Sequence, residues 1–280
     1  MVGRFDGKVV LVTGGNSGLG KTLVEMFMKE GARVAFCGRT EERNEQAFEE
    51  FRSIGDDVFA VRCDVSDSAE VETMFERVAE RYGTLDVLVN NAALVGGRGS
   101  HKGNGCTDRE NYLRLTTQPG EKFSLEITKN MTDEEWLDVL RVDLNGVFFC
   151  TREALKIMEA KKYGKIVNIS SIAGLANMSA HSPAYCAAKG GVVAFTRSLA
   201  VEVAGAGVNV NCVAPGGIRT PGFDRFVETV GPEVAGHMTM TCPLNRLGDP
   251  QEHGNLVLFL ASDDASYITG QTVTSNGGMF

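Results

Sequence analysis

No apolar run in this 280-residue chain approaches the roughly 20 residues that span a bilayer. The opening, MVGRFDGKVVLVTGG, enters a strand-like stretch at once, with no basic segment, long apolar stretch or small-residue cleavage site. A soluble, cytoplasmic protein without a membrane partner is expected. Histidine is scarce: the four residues at 101, 181, 237 and 253 show no HExxH or comparable spacing, so no metal is expected. The seven cysteines, an odd number, contain no Cys-x-x-Cys pair. Cys37, Cys63, Cys150 and Cys212 fall in apolar surroundings where a reduced thiol packs as a small hydrophobe, which argues against disulfides. Positive charge is also short, 28 Lys and Arg against 36 Asp and Glu, and no block of like charge forms an arm or tail. That balance argues against a nucleic-acid partner and for a small neutral or apolar ligand. The seven prolines gather into no linker, and no repeat or low-complexity tract divides the chain, so residues 1–280 are expected to form a single domain.

Short runs rich in Val, Ile and Leu alternate with longer helix-like stretches. KVVLVTG, RVAFCG, VFAVRCD and LDVLVNNA are separated by helical patterns at 18–30, 41–53 and 67–82. The alternation resumes with 132–160, GKIVNISS, 183–205, VNVNCVAPG, a looser segment at 218–248, 250–262 and a last strand near 271–275. Strands that are continuously apolar are expected where helices cover both faces of a parallel sheet. The fold class expected is therefore α/β, a Rossmann-like doubly wound parallel sheet flanked by helices. Residues 94–131 interrupt the pattern with a Gly-rich polar stretch and then FSLEI, whose alternation suggests a short strand. So long a connection at a sheet's carboxyl edge reads as a flap over a site, an oligomer contact or a disordered loop. Thr132 to Glu135, TDEE, is a capping box that starts the following helix.

Two stretches carry chemistry. In YCAAK, Tyr185 and Lys189 share a helix face, so an ammonium can sit beside a phenol and lower its pKa from about 10, which suits a general acid. The same pair also suits a packed ring beside a surface lysine. TGGNSGLGK, Thr13 to Lys21, follows a strand and opens a helix. Gly14, Gly18 and Gly20 permit a tight turn, close approach of backbone to a pyrophosphate, and helix-to-sheet packing, while the helix N-terminus favours negative charge. Dinucleotide binding is expected.

The spacing Gly-x-x-x-Gly-x-Gly, with NNAA at 90–93, ISS at 169–171, YCAAK and PGGIRT at 215–220, resembles the short-chain dehydrogenase/reductase family over almost the whole chain except 94–131. The resemblance implies that Ser171 orients a substrate oxygen, Tyr185 is the acid or base, and Lys189 lowers the tyrosine pKa while binding the nicotinamide ribose. Ser170 is the alternative to Ser171, and the loop from Ser171 to Tyr185 is a residue longer than usual. It also implies a cofactor site made of Gly14, Asn16, Ser17, Gly18, Leu19 and Gly20, with Asp64 and Val65 beside the adenine and Asn91, Ala92 and Ala93 along the adenosine. Pro215, Gly216, Ile218 and Thr220 would meet the nicotinamide half. Ala93 stands where glycine is more usual. The second strand ends in AFCGRT without a carboxylate for the adenosine ribose, so Arg39 and Thr40 point to a 2'-phosphate and to NADP(H) over NAD(H). Alternatively, Arg39 is a solvated cation balanced by Glu41 or Glu42.

One departure concerns VDLNG, Val142 to Gly146, where the family often has asparagine at the place of Asp143 to hold a water that relays protons to the lysine. An ionised Asp143 would compete for the ammonium, raise the pKa of Tyr185 and alter the pH profile while leaving activity. Phe223, Phe226, Val227, Met238 and Met240 in the 218–248 segment suggest a cover over a hydrophobic or cyclic alcohol or ketone, such as a hydroxysteroid, and suit core packing equally. The functions expected are an NADP(H)-preferring alcohol dehydrogenase or ketoreductase, with a 3-oxoacyl-thioester reductase as its variant; a cofactor-binding sensor or scaffold; or an epimerase or dehydratase on the same scaffold. The resemblance further implies a homotetramer or homodimer through helices near 135–160 and 183–205.

Overall fold

The computed structural model describes residues 3–94, 124–176 and 182–280, apart from some side chains between 225 and 238 that include Phe226 and Met238. Seven parallel strands lie in the order β3-β2-β1-β4-β5-β6-β7: β1 Val9–Thr13, β2 Arg33–Gly38, β3 Val58–Arg62, β4 Val87–Asn90, β5 Gly164–Ile169, β6 Val208–Pro215 and β7 Thr272–Ser275. Val and Ile dominate the central strands because both faces are covered: every residue of β1, β4 and β5 is buried. On one face, α1 Gly18–Lys29, α2 Glu41–Arg52 and a C-terminal helix at Pro250–Ala261 pack Leu23, Phe27, Phe51 and Val257 against Val10, Val12, Val89 and Val167. On the other, α3 Ser68–Tyr82 and helices at Gly146–Lys161 and Pro183–Val203 pack Met74, Val78, Met158 and Leu199 against Leu11, Leu88, Ile166 and Val210. Each such side chain, fully withdrawn from water, contributes about 1.5–3 kcal/mol.

The expected helix at 132–160 is real but interrupted. After the capping box, α4 runs Asp133–Leu140, a π-helical turn covers Arg141–Asn145, and α5 continues Gly146–Lys161. Hydrophobic periodicity does not reveal such a turn, which here carries Asp143 to its contacts with distant residues. The strand expected in FSLEI is absent from its described part. Residues 124–126 are irregular, and a helical turn starts at Ile127 behind Glu126 in the left-handed region, φ 56°. An alternating run needs a neighbouring strand to pair with, and none of the seven strands does so. The rest of the insertion, 95–123, lies outside the described residues. Beyond α6, Pro183–Val203, the looser segment forms α7, Pro221–Val230, and α8, Pro232–Met240, before α9, Pro250–Ala261. No helix among the described residues is long and apolar enough to cross a membrane.

The chain order reverses between β1 and β4, so their connections leave in opposite directions and open a crevice at the carboxyl edge. β1, β4, β5 and β6 run at that edge into TGGNSGLGK, NNAA, ISS and PGGIRT.

Candidate active site

On the β1 side, the loop Gly14–Ser17 turns the chain from strand into α1. Gly14 and Gly18 hold positive φ, 65° and 53°, which side chains rarely adopt. A Cβ on Gly20 would run into the Gly14 carbonyl oxygen, and one on Gly14 would lie 3.0 Å from the Ala92 Cα. The backbone therefore approaches the crevice with no side chain in the way. Ser17 takes the extended N-cap position of α1, and its hydroxyl is not spent on capping, which leaves it and the first helical N–H groups turned to an incoming anion. Leu19 instead buries its side chain in the core. This cradle fits a dinucleotide pyrophosphate.

Neighbouring polar groups fix the loop. Thr13 Oγ1 accepts hydrogen bonds from the backbone N–H groups of Asn91 and Ala92 at 2.9 and 3.0 Å, and the Asn91 amide donates to the Thr13 carbonyl at 2.9 Å. Asn91 thus shapes the loop through its side chain. Asn16 donates to Asn44 at 2.7 Å, and Asn44 donates to the Gly38 carbonyl at 2.9 Å, tying the loop to the end of β2. Thr13 and Asn44 escaped the sequence reading; their signal was only a hydroxyl and an amide beside the glycine motifs. Arg39 and Thr40 are exposed just beyond β2, and Arg39 makes no ion pair among the described residues, so neither Glu41 nor Glu42 balances it. Asp64 is half-buried and accepts from the Ser66 hydroxyl at 2.7 Å, Val65 is buried where α5 comes closest at Gly146, and Ala93 is exposed.

On the β5 side, Ser171, Tyr185 and Lys189 meet. Ser171 follows β5, accepts from the Ala173 N–H at 3.1 Å and reaches the Tyr185 phenol with its hydroxyl. Ser170 is turned away: its hydroxyl donates to the Lys189 carbonyl at 2.8 Å and is buried. α6 starts with Ser182 as its cap and Pro183 in its first turn, which sets Tyr185 and Lys189 one turn apart with the ammonium 5.5 Å from the ring centre. Gly174 lets the turn after Ser171 lie against α6, since a Cβ there would be 2.6 Å from the Lys189 carbonyl carbon.

The lysine also meets Asp143. Lys189 and Asp143 are 1 % and 0 % exposed, and Nζ lies 3.1 Å from Oδ2 and donates to the Ile169 carbonyl at 3.2 Å. Asp143 Oδ1 accepts the Leu94 N–H at 2.6 Å. Burial pushes the Asp143 carboxyl above the usual range, against the Lys189 charge and the Leu94 N–H. Burial works to lower Lys189, but the Asp143 carboxylate and then Tyr185 outweigh it and hold the ammonium above the usual lysine value. The Lys189 charge beside Oδ2 and the Leu94 N–H on Oδ1 both act in favour of the carboxylate, against its burial. For Tyr185, burial raises the phenol above its usual pKa; Lys189 opposes this and Asp143 adds to it.

The β6 side closes the crevice. Gly216 donates to the Ser275 carbonyl at 2.9 Å, Ile218 bridges to Gly248, and Thr220 caps α7 with its hydroxyl while its methyl lies 3.7 Å from where a Gly18 Cβ would be. The segment from Pro215 to Thr220 therefore faces the glycine loop across the site. Phe223 and Val227 are half-buried, whereas Met240 is 74 % exposed.

Comparison with known proteins returns a consistent set. The family model described as short chain dehydrogenase matches residues 8–114, and the model described as Enoyl-(Acyl carrier protein) reductase matches 122–280. A 3-oxoacyl-(acyl-carrier-protein) reductase of Haemophilus influenzae is 35 % identical over 276 residues, 99 % of each chain. The enzyme of the same name from Staphylococcus aureus is 36 % identical over 275 residues, 98 % of each. Among solved structures, levodione reductase aligns with a TM-score of 0.84 at 32 % identity over 98 % of both chains. An actinorhodin polyketide ketoreductase solved with NADPH aligns at 0.83 and 34 %, over 100 % of this chain and 99 % of its own.

Proposed function

This chain belongs to the short-chain dehydrogenase/reductase family of oxidoreductases, and from that premise we propose that it reduces the ketone of a 3-oxoacyl thioester to the secondary alcohol with NADPH. The observation that carries this reading is the meeting of Ser171, Tyr185 and Lys189 opposite an open glycine cradle. Relatives named for a 3-oxoacyl substrate supply the substrate class. A hydroxysteroid, expected from the apolar 218–248 segment, finds no support among those relatives, and the exposed Met240 removes part of its basis.

The residues fit the cofactor. The N–H groups at the start of α1 and Ser17 would hold the pyrophosphate, with Gly14, Asn16, Gly18 and Gly20 giving it room. Arg39, exposed and without an ion pair among the described residues, would meet the 2'-phosphate with Thr40; Asp64, Val65, Ala92 and Ala93 would border the adenosine, and Pro215, Gly216, Ile218 and Thr220 the nicotinamide. When bound, the reduced nicotinamide supplies two electrons and a hydrogen to the carbonyl carbon. The chain does the rest. The Ser171 hydroxyl orients and polarises the carbonyl oxygen, Tyr185 Oη gives that oxygen its proton, and solvent restores the phenol. Lys189 stabilises the transient phenolate by charge.

Exposed Trp136, Leu137 and Phe148 on α4 and α5 are the surface a second copy would cover in a homodimer or homotetramer, a state that light scattering reads directly.

The test is NADPH consumption on a panel holding a 3-oxoacyl thioester, a cyclic diketone and a steroid ketone. Turnover is expected on the thioester, with Tyr185→Phe slower by about 10²- to 10⁴-fold. Preference for the steroid, or full activity in Tyr185→Phe, would sink the reading.

A further inference from the structure

We propose that Asp143 is a positioning residue: its carboxylate pins the Lys189 ammonium from behind and keeps Tyr185 in its proton-bearing form, so that the site donates a proton at neutral pH and accepts one only in alkaline solution. The directional half of this inference rests on the reductase reading above. The electrostatic half concerns the chain alone.

The geometry is specific. Asp143 sits in the π-helical turn between α4 and α5, where it is fully buried, and each carboxylate oxygen is engaged from a different part of the fold. Oδ1 takes the N–H of Leu94, just past β4, at 2.6 Å; Oδ2 faces Lys189 Nζ on α6 at 3.1 Å. The ammonium is held further by the Ile169 carbonyl at the end of β5 at 3.2 Å. Lys189 is therefore drawn toward the sheet, and the charge beside the phenol lies against an opposite one where both are withdrawn from bulk solvent.

Other groups do not supply that counter-charge. Among the described residues, those acting most strongly on Tyr185 are Lys189, Asp143, Ser171 and Cys186, and on Lys189 Asp143, Tyr185 and Cys212. Burial pushes the Cys212 thiol up to about 11 and raises that of Cys186, so both are neutral near pH 7. Among the described residues that act on the cluster, Asp143 brings the negative charge. An amide of the same size at 143 could accept the Leu94 N–H with its oxygen, but would then turn its NH2, itself a donor, toward Nζ, and would leave the ammonium free to favour a phenolate. Carboxylate and amide therefore match in size and differ in charge and in what they can accept.

The proton balance gives the consequence. Reduction begins with the phenol and leaves a phenolate; alcohol oxidation begins with the phenolate and leaves a phenol. Holding Tyr185 as a phenol extends reduction to higher pH and moves the acid limb of oxidation upward.

The experiment is an ultraviolet titration of tyrosinate in the intact chain without added cofactor, with the step of Tyr185 identified by its loss in Tyr185→Phe among the five tyrosines. In the unaltered chain that step is expected to be missing below about pH 10. Asp143→Asn should bring it down by about one to three pH units, and the acid limb of alcohol oxidation by the same amount, while Asp143→Glu, which keeps the charge, leaves it in place. A Tyr185 step near neutral pH in the unaltered chain would overturn the inference, as would an unmoved step in folded Asp143→Asn. Should that variant not fold, the unaltered chain decides. Turnover with the wrong titration removes this inference alone; the expected titration without turnover on any ketone removes only the reductase reading.

Discussion

The two halves of the carboxyl edge are held by different forces. Around β1 and β4 the bonds that shape the loop join neutral groups: Thr13 to the backbone of Asn91 and Ala92, Asn91 to the Thr13 carbonyl, Asn16 to Asn44. Steric close approach at Gly14 and Gly20 completes them. Around β5 and β6 the cluster is built from groups that titrate: the buried Asp143 and Lys189 and the phenol of Tyr185, with the buried imidazole of His253 behind the Gly248 turn. The first half is a mould of neutral groups, joined to the titrating half where Leu94, just past β4, donates to Asp143. The second is a balance of charges that depends on pH, and an enzyme divided this way keeps its grip on cofactor while its reaction rate follows pH.

Breaking the mould should leave the balance untouched. In Gly20→Val the new side chain runs into the Gly14 carbonyl, a backbone atom that does not rotate away. Overpacking of this kind costs about 1–3 kcal/mol. We expect NADPH affinity, read by fluorescence titration, to fall by about 10- to 100-fold, with the tyrosinate step of Tyr185 unmoved. Unchanged affinity would mean that the loop does not hold the cofactor; a moved tyrosinate step would mean that the two halves are not separate.

A smaller change refines the first half. Arg39→Ala removes an exposed guanidinium without an ion pair among the described residues, so the folded chain should lose little stability. Affinity for NADPH should drop by about 5- to 10-fold, the modest value suited to a solvated charge, and affinity for NADH should stay the same. Equal losses for both cofactors would assign Arg39 to the shared part of the dinucleotide and withdraw the NADP(H) preference.

The same division explains what the sequence disclosed. Glycine at positive φ is a local requirement, so Gly14 and Gly18 announce their loop within a few residues. Tyr185 and Lys189 share one helix, and their meeting follows from helix geometry. The Asp143 to Leu94 bond joins residues 49 apart and depends on a π turn that no periodicity encodes, so the expected conflict over the ammonium was legible while its anchor was not. That the Ser170 hydroxyl is bonded to the Lys189 carbonyl, 19 residues away, could not be read from the strand-end register. FSLEI failed because alternation describes a face, and a strand also needs an edge to join.

His253 is the subtlest member of the charged half. It stood as one more isolated histidine in the sequence; in the fold it is buried on α9 with its ring behind Gly248, and neither ring nitrogen has a hydrogen-bond partner among the described residues. Burial holds its pKa below the usual histidine value, against the pull of Glu252 and Asp249. The unfolded chain, with a histidine near 6.5, takes up the proton first as pH falls. The stability that depends on a neutral ring is thus complete above about pH 6.5 and lost below it, down to the depressed folded value. His253→Leu removes both the titration and the unpartnered nitrogens, so it should melt a few degrees higher at pH 7 and lose less on going to pH 5, the difference being about 1 kcal/mol or 2–4 °C. If the two proteins lose the same melting temperature between those pH values, the ring is not titrating behind Gly248, and the acid sensitivity of the second half lies with Asp143 and Lys189.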